Sequence, residues 1–228
     1  MATLNDLRTA IAQLLSLPGS ASALQLNSNT RERAFECYIF ALVLRAVRQA
    51  GGTVELHGIN SGRNPNPLVF RGSSGHLGSR AQDFCFARCS LNGMEFEVHV
   101  DVVFLGSSGA SHEIDVSICD RSVADAVRQA PGLLPTTRGL RAAIECKFYD
   151  SQLGTALGRT FVGLVADCSG LKVQTFVTNG QSRSLAVYLS KKGRPQPFFA
   201  VSPLIAGNRD RFVSVVEQSL RQWAGVPG

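Results

Sequence analysis

The chain of 228 residues is 44% hydrophobic and only 18% charged, a composition that predicts one folded domain and excludes a wholly disordered chain. Its formal charge is +6, and 19 of its 23 basic residues are arginine, whose planar guanidinium suits bidentate contacts to phosphate. The longest apolar run, residues 37–44, is far shorter than the roughly 20 residues of a bilayer-spanning helix. We therefore expect a polyanionic partner and no membrane association.

The N-terminal residues and the cysteines both favour a cytoplasmic location. Residues 1–17 contain Asp6 and Arg8 and lack the uninterrupted apolar core of a secretory signal. The six cysteines lie mostly in apolar helix or strand patterns, where a reduced thiol behaves as a small hydrophobic group. Cys85 and Cys89 have no second cysteine or histidine pair at zinc-like spacing. We expect a cytoplasmic protein without disulfides and without a structural zinc ion.

An amphipathic helix and a linker are predicted before the main part of the chain. Leucine and isoleucine recur at helical spacing over residues 4–15, and a run rich in proline, glycine and serine at residues 18–22 ends the pattern. We divide the chain into an N-terminal helix and linker, residues 1–28, and a larger part, residues 29–228. Together they are predicted to form a single domain.

A second helix is predicted from Asn29 to Gly51-Gly52. Glu32 stands three residues after Asn29, which is the spacing of a capping box, and paired glycines are a helix stop signal. Over residues 34–47 the helix is apolar nearly all round. Such a helix is expected to be buried on most of its sides.

The rest of the chain mixes strands and helices, which predicts an α/β fold. Alternating apolar patterns between turn residues predict strands at residues 53–57, 83–90, 94–105, 112–119, 141–149, 171–177 and 184–189. Helical spacing predicts helices at residues 121–130, 152–168 and 210–223. Residues 60–78 and 131–138 are predicted to be loops. Asn92-Gly93 is a strong signal for a hairpin.

An acid and a base lie side by side on the strand predicted at residues 141–149. Because side chains alternate along a strand, Glu145 and Lys147 share one face, opposite Ile144 and Cys146. Each would cost several kcal/mol in so apolar a strand without a partner or a water-filled cleft. A functional site explains the pair. The alternative is a salt-bridge cluster on a solvated face of the sheet.

Asp115 is the matching polar position on the strand predicted at residues 112–119. Alternation predicts two faces on this strand: Glu113, Asp115 and Ser117 on one, and Ile114, Val116 and Ile118 on the other. If the two strands pair, the carboxylates of Asp115 and Glu145 approach to about 4–6 Å, where they repel unless a cation lies between them. The expected cation is Mg²⁺ or Mn²⁺.

Glu36 is a third candidate, because it is the one carboxylate in the apolar stretch at residues 34–47. A carboxylate in the middle of a buried helix needs either a salt-bridge partner or a metal ion. The sequence leaves both interpretations open.

These residues, in this order, resemble the PD-(D/E)-x-K nuclease superfamily. The features that match are a helix of the form Phe35-Glu36…Leu42…Gly51-Gly52, then Asp115 on a strand after a hairpin, then Ile144-Glu145-Cys146-Lys147 followed by a helix. The resemblance covers roughly residues 30–190. It implies a restriction-endonuclease-like fold with an αβββαβ core, in which helices flank a mixed central sheet.

The resemblance also implies an activity: metal-dependent endonucleolytic hydrolysis of phosphodiester bonds in nucleic acid. DNA is preferred over RNA because the superfamily is mostly DNA-directed, and restriction, antiviral defence or repair would be the setting. The implied catalytic residues are Asp115, Glu145 and Lys147. The implied ligands of one or two Mg²⁺ or Mn²⁺ ions are Glu36, Asp115, Glu145 and the backbone carbonyl of Cys146.

Several alternatives stay open. An RNA-directed nuclease of the same fold would carry the same residues, and a catalytically silent nucleic-acid-binding module would keep the fold and use its arginine surface. A homodimer, or association with other subunits, is also compatible with the sequence.

Other polar residues are weaker candidates for a role at the site. Asp101 is an alternative metal ligand, Glu113 a neighbour of the site, His99 and His112 either assistants or ordinary hydrogen-bonded residues, and Arg159 either a phosphate contact or a solvated helix residue. The glycine- and serine-rich stretches at residues 72–78 and 106–109 lack Gly-Lys-Ser/Thr and a following helix. They are therefore predicted to be turns or substrate flaps rather than phosphate-binding loops.

Overall fold

The computed structural model describes residues 1–17, 24–27, 30–130, 132–150 and 153–227. Some sequence predictions fall on positions outside these ranges: the break at residues 18–22, the helix start at Asn29, the loop start at residue 131 and the helix start at residue 152.

Within these ranges the chain forms helices and strands, with six consecutive strands between the second and the third α-helix. The strands are β1 (Leu24–Leu26), β2 (Thr53–Gly58), β3 (Gly62–Arg63), β4 (Leu68–Phe70), β5 (Cys85–Leu91), β6 (Met94–Leu105), β7 (Ser111–Asp120), β8 (Leu140–Lys147), β9 (Val173–Thr178) and β10 (Gln196–Phe198). The α-helices are α1 (Leu4–Leu14), α2 (Arg31–Gln49), α3 (Arg121–Gln129), α4 (Thr155–Ala166), α5 (Arg183–Lys192) and α6 (Ala206–Ala224), and a short 3-10 helix lies at Thr137–Gly139.

Eight of the strands form one mixed sheet, in the order β10-β9-β8-β7-β6-β5-β2-β3. Neighbouring strands pair antiparallel from β3 to β8, whereas β8, β9 and β10 run parallel. A parallel pair needs a crossover connection, which α4 supplies between β8 and β9. The chain is thus a mixed α/β protein, as predicted. A separate small sheet pairs β1 with β4.

Helices cover both faces of the main sheet. On one face α2 and α6 pack on the strands, and α1 packs on α2, around one apolar cluster. On the other face α3, α4 and α5 surround a second cluster. Nearly every residue of α2 from Ala34 to Val47 is buried, which confirms the expected burial on most sides. None of the helices in the described ranges combines the length and the apolar character that crossing a membrane requires.

The N-terminal segment packs on the rest of the chain. Leu7 and Ile11 of α1 are fully buried against α2. The predicted linker contains β1, and the loop predicted at residues 60–78 contains β3 and β4. Strands of two or three residues are not predicted from the sequence because they are too short to display an alternating pattern.

The largest error of the sequence prediction lies at residues 184–189, which belong to α5 and do not form a strand. Leu185, Val187 and Leu189 alternate as in a strand, but the two leucines also stand four apart, on one helix face. Both leucines are fully buried and Val187 is exposed, as a helix requires. The Ser182 hydroxyl accepts a bond of 3.3 Å from the Leu185 N–H and caps the helix. The three-residue strand β10 was not predicted either.

The start of α2 differs from the prediction. The N-cap is Thr30, whose hydroxyl accepts a bond of 3.3 Å from the backbone N–H of Arg33. Because Arg33 and not Glu32 is the third residue after this cap, the predicted capping box is wrong. All six cysteines are free thiols, and five of them are buried.

Candidate functional site

Two aspartates oppose one another in the middle of the β6–β7 ladder. The backbone register pairs the residues on either side of them, Val100 with Val116 and Val102 with Ile114, so that Asp101 faces Asp115. Asp101 has φ of 53°, in the left-handed region that aspartate tolerates better than most residues.

Both strands change face at this aspartate pair. Val100 and Val116 belong to the apolar cluster under α2, whereas Val102 and Ile114 belong to the cluster on the opposite face. The prediction that Ile114 shares a face with Val116 is therefore wrong. Strict alternation fails here because the left-handed residue Asp101 interrupts the regular pleat.

Three carboxylates from three elements converge at this point. Glu36 of α2, Asp101 of β6 and Asp115 of β7 each offer one oxygen, and these oxygens all lie within 4.8 Å of one another. The three residues are 6%, 1% and 9% exposed. We call them the carboxylate cluster. Oxygen donors at this spacing, without a thiol or imidazole, suit a hard divalent cation such as Mg²⁺ or Mn²⁺.

Arg33 neutralises part of the carboxylate cluster from the first turn of α2. Its Nη1 lies 2.8 Å from Glu36 Oε2 and 2.8 Å from both carboxylate oxygens of Asp101. Burial disfavours the guanidinium charge, but Asp101 and Glu36 outweigh that effect and raise the pKa of Arg33. Glu36 therefore has both features that the sequence left open, a salt-bridge partner and a place among possible metal ligands.

Lys147 joins the cluster to Glu145. Its Nζ lies 3.2 Å from Asp115 Oδ2 and 2.6 Å from Glu145 Oε1. The backbone N–H of Cys146 donates to the same Oδ2 at 2.8 Å. Burial opposes the ammonium charge, but the two carboxylates outweigh it and raise the pKa of Lys147. The predicted trio of Asp115, Glu145 and Lys147 is thus in mutual contact through the lysine.

Crowding of buried carboxylates shifts the pKa of three of them upward. Burial raises the pKa of Glu36, and Asp101 and Asp115 add to that rise. The pKa of Asp101 is raised by burial and by Asp115, against the opposing effect of Arg33. The pKa of Glu145 is raised by burial and by Asp115, against Lys147. Each shift means that further positive charge at this point would stabilise the ionised carboxylates.

The charges at the site leave room for one divalent cation. Four carboxylates, those of the cluster and Glu145, face the two cations Arg33 and Lys147. Two formal negative charges remain when all of these groups are ionised. The residues present therefore fit the metal that their chemistry implies.

The structure rearranges the expected ligand set. Asp101, which the sequence places second, belongs to the carboxylate cluster, whereas Glu145 lies outside it and contacts Lys147. The role of Glu145 and of the Cys146 carbonyl as metal ligands stays a prediction. The Cys146 thiol faces the apolar cluster under α2. Arg33 was not predicted as a site residue, although its i,i+3 spacing to Glu36 is a recognisable signal in the sequence.

His99 belongs to a separate buried network. Its Nε2 donates to Glu97 Oε2 at 3.0 Å, and Glu97 also accepts bonds from Arg128 and Arg88. Burial opposes ionisation of Glu97, which is fully buried, but His99 and Arg128 outweigh it and lower its pKa. Burial also lowers the pKa of His99. His99 is therefore an ordinary hydrogen-bonded residue, and the Glu97–Arg128 pair of the same network joins β6 to α3.

The other weaker candidates are His112, Arg159 and Glu113. His112 bonds to Asp167 at 2.6 Å, and Asp167 also accepts bonds from the 106–109 stretch, which fixes that stretch as a turn. Arg159 is exposed on α4 beside Tyr188. Glu113 is exposed and contributes to the raised pKa of Glu145, as a neighbour does.

Comparisons with known proteins found no relative. No family model, no curated protein and no solved structure matches this chain.

Proposed function

We propose that the chain is a metal-dependent nuclease that hydrolyses phosphodiester bonds of nucleic acid, with DNA as the preferred substrate and Mg²⁺ or Mn²⁺ as the cofactor. The observation that carries the proposal is the convergence of Glu36, Asp101 and Asp115 within 4.8 Å, with the Lys147 ammonium 3.2 Å from Asp115. Three clustered carboxylates beside a half-buried lysine are an arrangement suited to metal-assisted attack on phosphorus.

The order of elements supports the proposal. The αβββαβ core of the resembled superfamily has a counterpart in α2, β6, β7, β8, α4 and β9, where the three β-strands form an antiparallel meander and the last strand runs parallel to β8. Asp115 lies on the second strand of that meander, and Glu145 and Lys147 lie on the third. The restriction-endonuclease-like fold is part of the proposal.

The carboxylate cluster would hold the cation. Asp115 accepts its bonds from Cys146 and Lys147 at Oδ2. No hydrogen bond among the described residues uses its other oxygen, which would be available to a metal. When bound, Mg²⁺ or Mn²⁺ would activate water and neutralise charge on the phosphate oxygens. Arg33 would keep Glu36 and Asp101 oriented as ligands.

Lys147 would act on the phosphate and on the attacking water. Its ammonium lies between Asp115 and Glu145, so both carboxylates hold it beside the carboxylate cluster that would bind the metal. There it would stabilise the charge that develops on the nonbridging oxygens. The raised pKa of Lys147 keeps it protonated for that role. Glu145, with its own pKa raised, would accept a proton from the Lys147 ammonium as that nitrogen takes one from the attacking water, so that Lys147 ends the step protonated.

The test is cleavage of labelled duplex DNA, single-stranded DNA and tRNA in Mg²⁺, Mn²⁺, Ca²⁺ or EDTA. We expect cleavage with Mg²⁺ or Mn²⁺ that EDTA abolishes and that Asp115→Asn reduces by at least about 100-fold. The substrate cut fastest separates a DNA-directed from an RNA-directed nuclease. Cleavage that survives chelation would defeat the metal mechanism.

A catalytically silent nucleic-acid-binding module is the second candidate. The observation in its favour is that Arg33 already contacts two of the three clustered carboxylates, so an ion pair can hold them without a metal. The same assay decides, because a silent module would bind the labelled oligonucleotides and leave them intact with every metal.

A further inference from the structure

A cavity of about 480 Å³ is lined by the loop that bonds to β6 at Asp101. Its lining includes Arg71, Ser73, Ser74, Gly75 and Phe84. The backbone N–H of Gly75 donates to the carbonyl oxygen of Asp101 at 3.0 Å, and the carbonyl of Gly75 accepts from Val103 at 3.1 Å. The loop that lines the cavity is therefore bonded to β6 at the residue that contributes a clustered carboxylate.

Arg71 is the charged side chain of this cavity. It is 8% exposed, and its guanidinium carbon lies 4.1 Å from the centre of the Phe84 ring. Among the described residues its hydrogen bonds all use Nη2, which donates to the carbonyls of His76 and Leu77 at 3.0 and 3.5 Å. Nη1 lies beside Gly75, where a Cβ atom would approach to 2.9 Å.

No described carboxylate forms an ion pair with Arg71, which sets it apart from other partly buried arginines. Arg33 pairs with Glu36 and Asp101, and Arg128 pairs with Glu97. A buried cation without an anion is unfavourable. The two carbonyls and the Phe84 ring offset part of that cost. Burial lowers the pKa of Arg71 to about 10, against the opposing effect of Asp101, so the side chain stays charged at neutral pH.

The lining of the cavity selects for an anion. Ser73, Ser74 and Ser79 supply hydroxyl donors, and no carboxylate is among the described residues that line it. The guanidinium fork matches the geometry of phosphate oxygens. The carboxylate cluster, whose Asp101 is bonded to this loop, repels a polyanion until a cation binds, and the fixed positive charge of Arg71 would offset part of that repulsion.

We propose that Arg71 and the serines at positions 73, 74 and 79 bind a phosphate of the nucleic-acid backbone next to the phosphate that is cleaved. The inference rests on the proposed function for its substrate. Ser73 and Ser74 belong to the stretch at residues 72–78, which lacks the sequence signature of a phosphate-binding loop. The phosphate would therefore be bound by side chains and not by such a loop.

The test is the affinity of a fluorescein-labelled DNA oligonucleotide for the full chain, measured by anisotropy in EDTA over a range of salt concentrations. EDTA removes the metal, so the result does not depend on catalysis or on the identity of the cofactor. The variants are Arg71→Gln and Ser73→Asp. Ser73 is exposed, so the aspartate places a negative charge at the cavity without disturbing the packing of Arg71. Ser214→Asp, the same change at an exposed serine of α6, is the matched control.

We expect both cavity variants to weaken binding by about tenfold, as loss of one charge-assisted contact does, and to lower the slope of log affinity against log salt by about one. Ser214→Asp should bind as the unaltered chain does. Ser73→Asp with unchanged affinity and slope would overturn the proposal, as would absence of oligonucleotide binding by the unaltered chain. If no metal supports cleavage but these variants behave as expected, the nuclease proposal fails and the phosphate contact stands.

Discussion

Asp101 and Asp115 face one another across the β6–β7 ladder, at the point where both strands pass from one apolar cluster to the other. Like charges directly opposite each other destabilise a sheet unless they are compensated. Here Arg33 reaches Asp101 from α2, and Lys147 reaches Asp115 from β8. The compensation is incomplete, since Glu36 and Glu145 add two more carboxylates. This excess of negative charge is the physical basis for the proposed metal centre.

Replacement of Lys147 separates catalysis from binding. We expect Lys147→Met to reduce metal-dependent cleavage by about 100- to 10,000-fold, because the ammonium stabilises charge that develops only during the reaction. Oligonucleotide affinity should stay nearly unchanged. Lys172→Met, at an exposed position of the loop before β9, is the control and should cleave normally. Normal cleavage by Lys147→Met would remove the lysine from the mechanism.

A comparison of Asp101→Asn with Glu145→Gln tests the ligand set. Asparagine tolerates the left-handed conformation of Asp101 as well as aspartate does, so the first variant removes a charge without straining the strand. We expect it to weaken Mn²⁺ binding by more than about tenfold. Glu145→Gln should lower the cleavage rate and change metal affinity less, because Glu145 contacts Lys147. Isothermal titration calorimetry with Mn²⁺ measures the metal affinity of both variants. A larger loss of affinity in Glu145→Gln than in Asp101→Asn would restore Glu145 as the principal ligand.

Arg33 should link metal binding to stability. Arg33→Gln removes the cation that neutralises Glu36 and Asp101, and we expect it to lower the free energy of unfolding in EDTA by about 1–3 kcal/mol. Added Mg²⁺ should restore more stability to this variant than it adds to the unaltered chain, because ligands that bind the folded state stabilise it. Arg31→Gln is the control, since Arg31 pairs with the exposed Asp150. Urea unfolding that shows no effect of Mg²⁺ on any variant would contradict a metal centre.

The buried Glu97 network predicts a pH dependence of stability. The folded state lowers the pKa of Glu97 from 4.5 to about 2. A lowered carboxylate pKa contributes stability that is present above pH 4.5 and is lost as the pH falls toward 2. Glu97→Gln should lower the free energy of unfolding by about 3–5 kcal/mol at neutral pH, because Arg128 is left buried without its partner. The stability of this variant should also depend less on pH in the acid range.

Glu95→Gln is the matched control for this network. Glu95 lies two residues away on the same strand, and its pair with Arg121 is largely exposed. We expect little change in the urea midpoint, since exposed ion pairs contribute little. Equal effects of the two variants on the midpoint would show that Glu97 does not hold α3 to β6.

The sequence predicts the long central elements of the fold better than its shortest strands and the helix at residues 184–189. The buried α2, the meander and the side-by-side Glu145 and Lys147 follow from periodicity, because burial forces apolar residues onto fixed faces. The exchange of Asp101 for Glu145 in the carboxylate cluster does not follow, since it depends on the left-handed residue that reverses the alternation. Arg71 carries no sequence signal, because its burial arises from a loop that folds onto β6.

The binding of Mn²⁺ tests the central claim most directly. Titration of the unaltered chain, of Asp115→Asn and of Ser214→Asp can be followed by the electron paramagnetic resonance signal of free Mn²⁺. A metal centre built on Glu36, Asp101 and Asp115 predicts saturable Mn²⁺ binding that Asp115→Asn weakens by more than about tenfold and that the control retains. No saturable binding by the unaltered chain, or equal binding by Asp115→Asn, would contradict it.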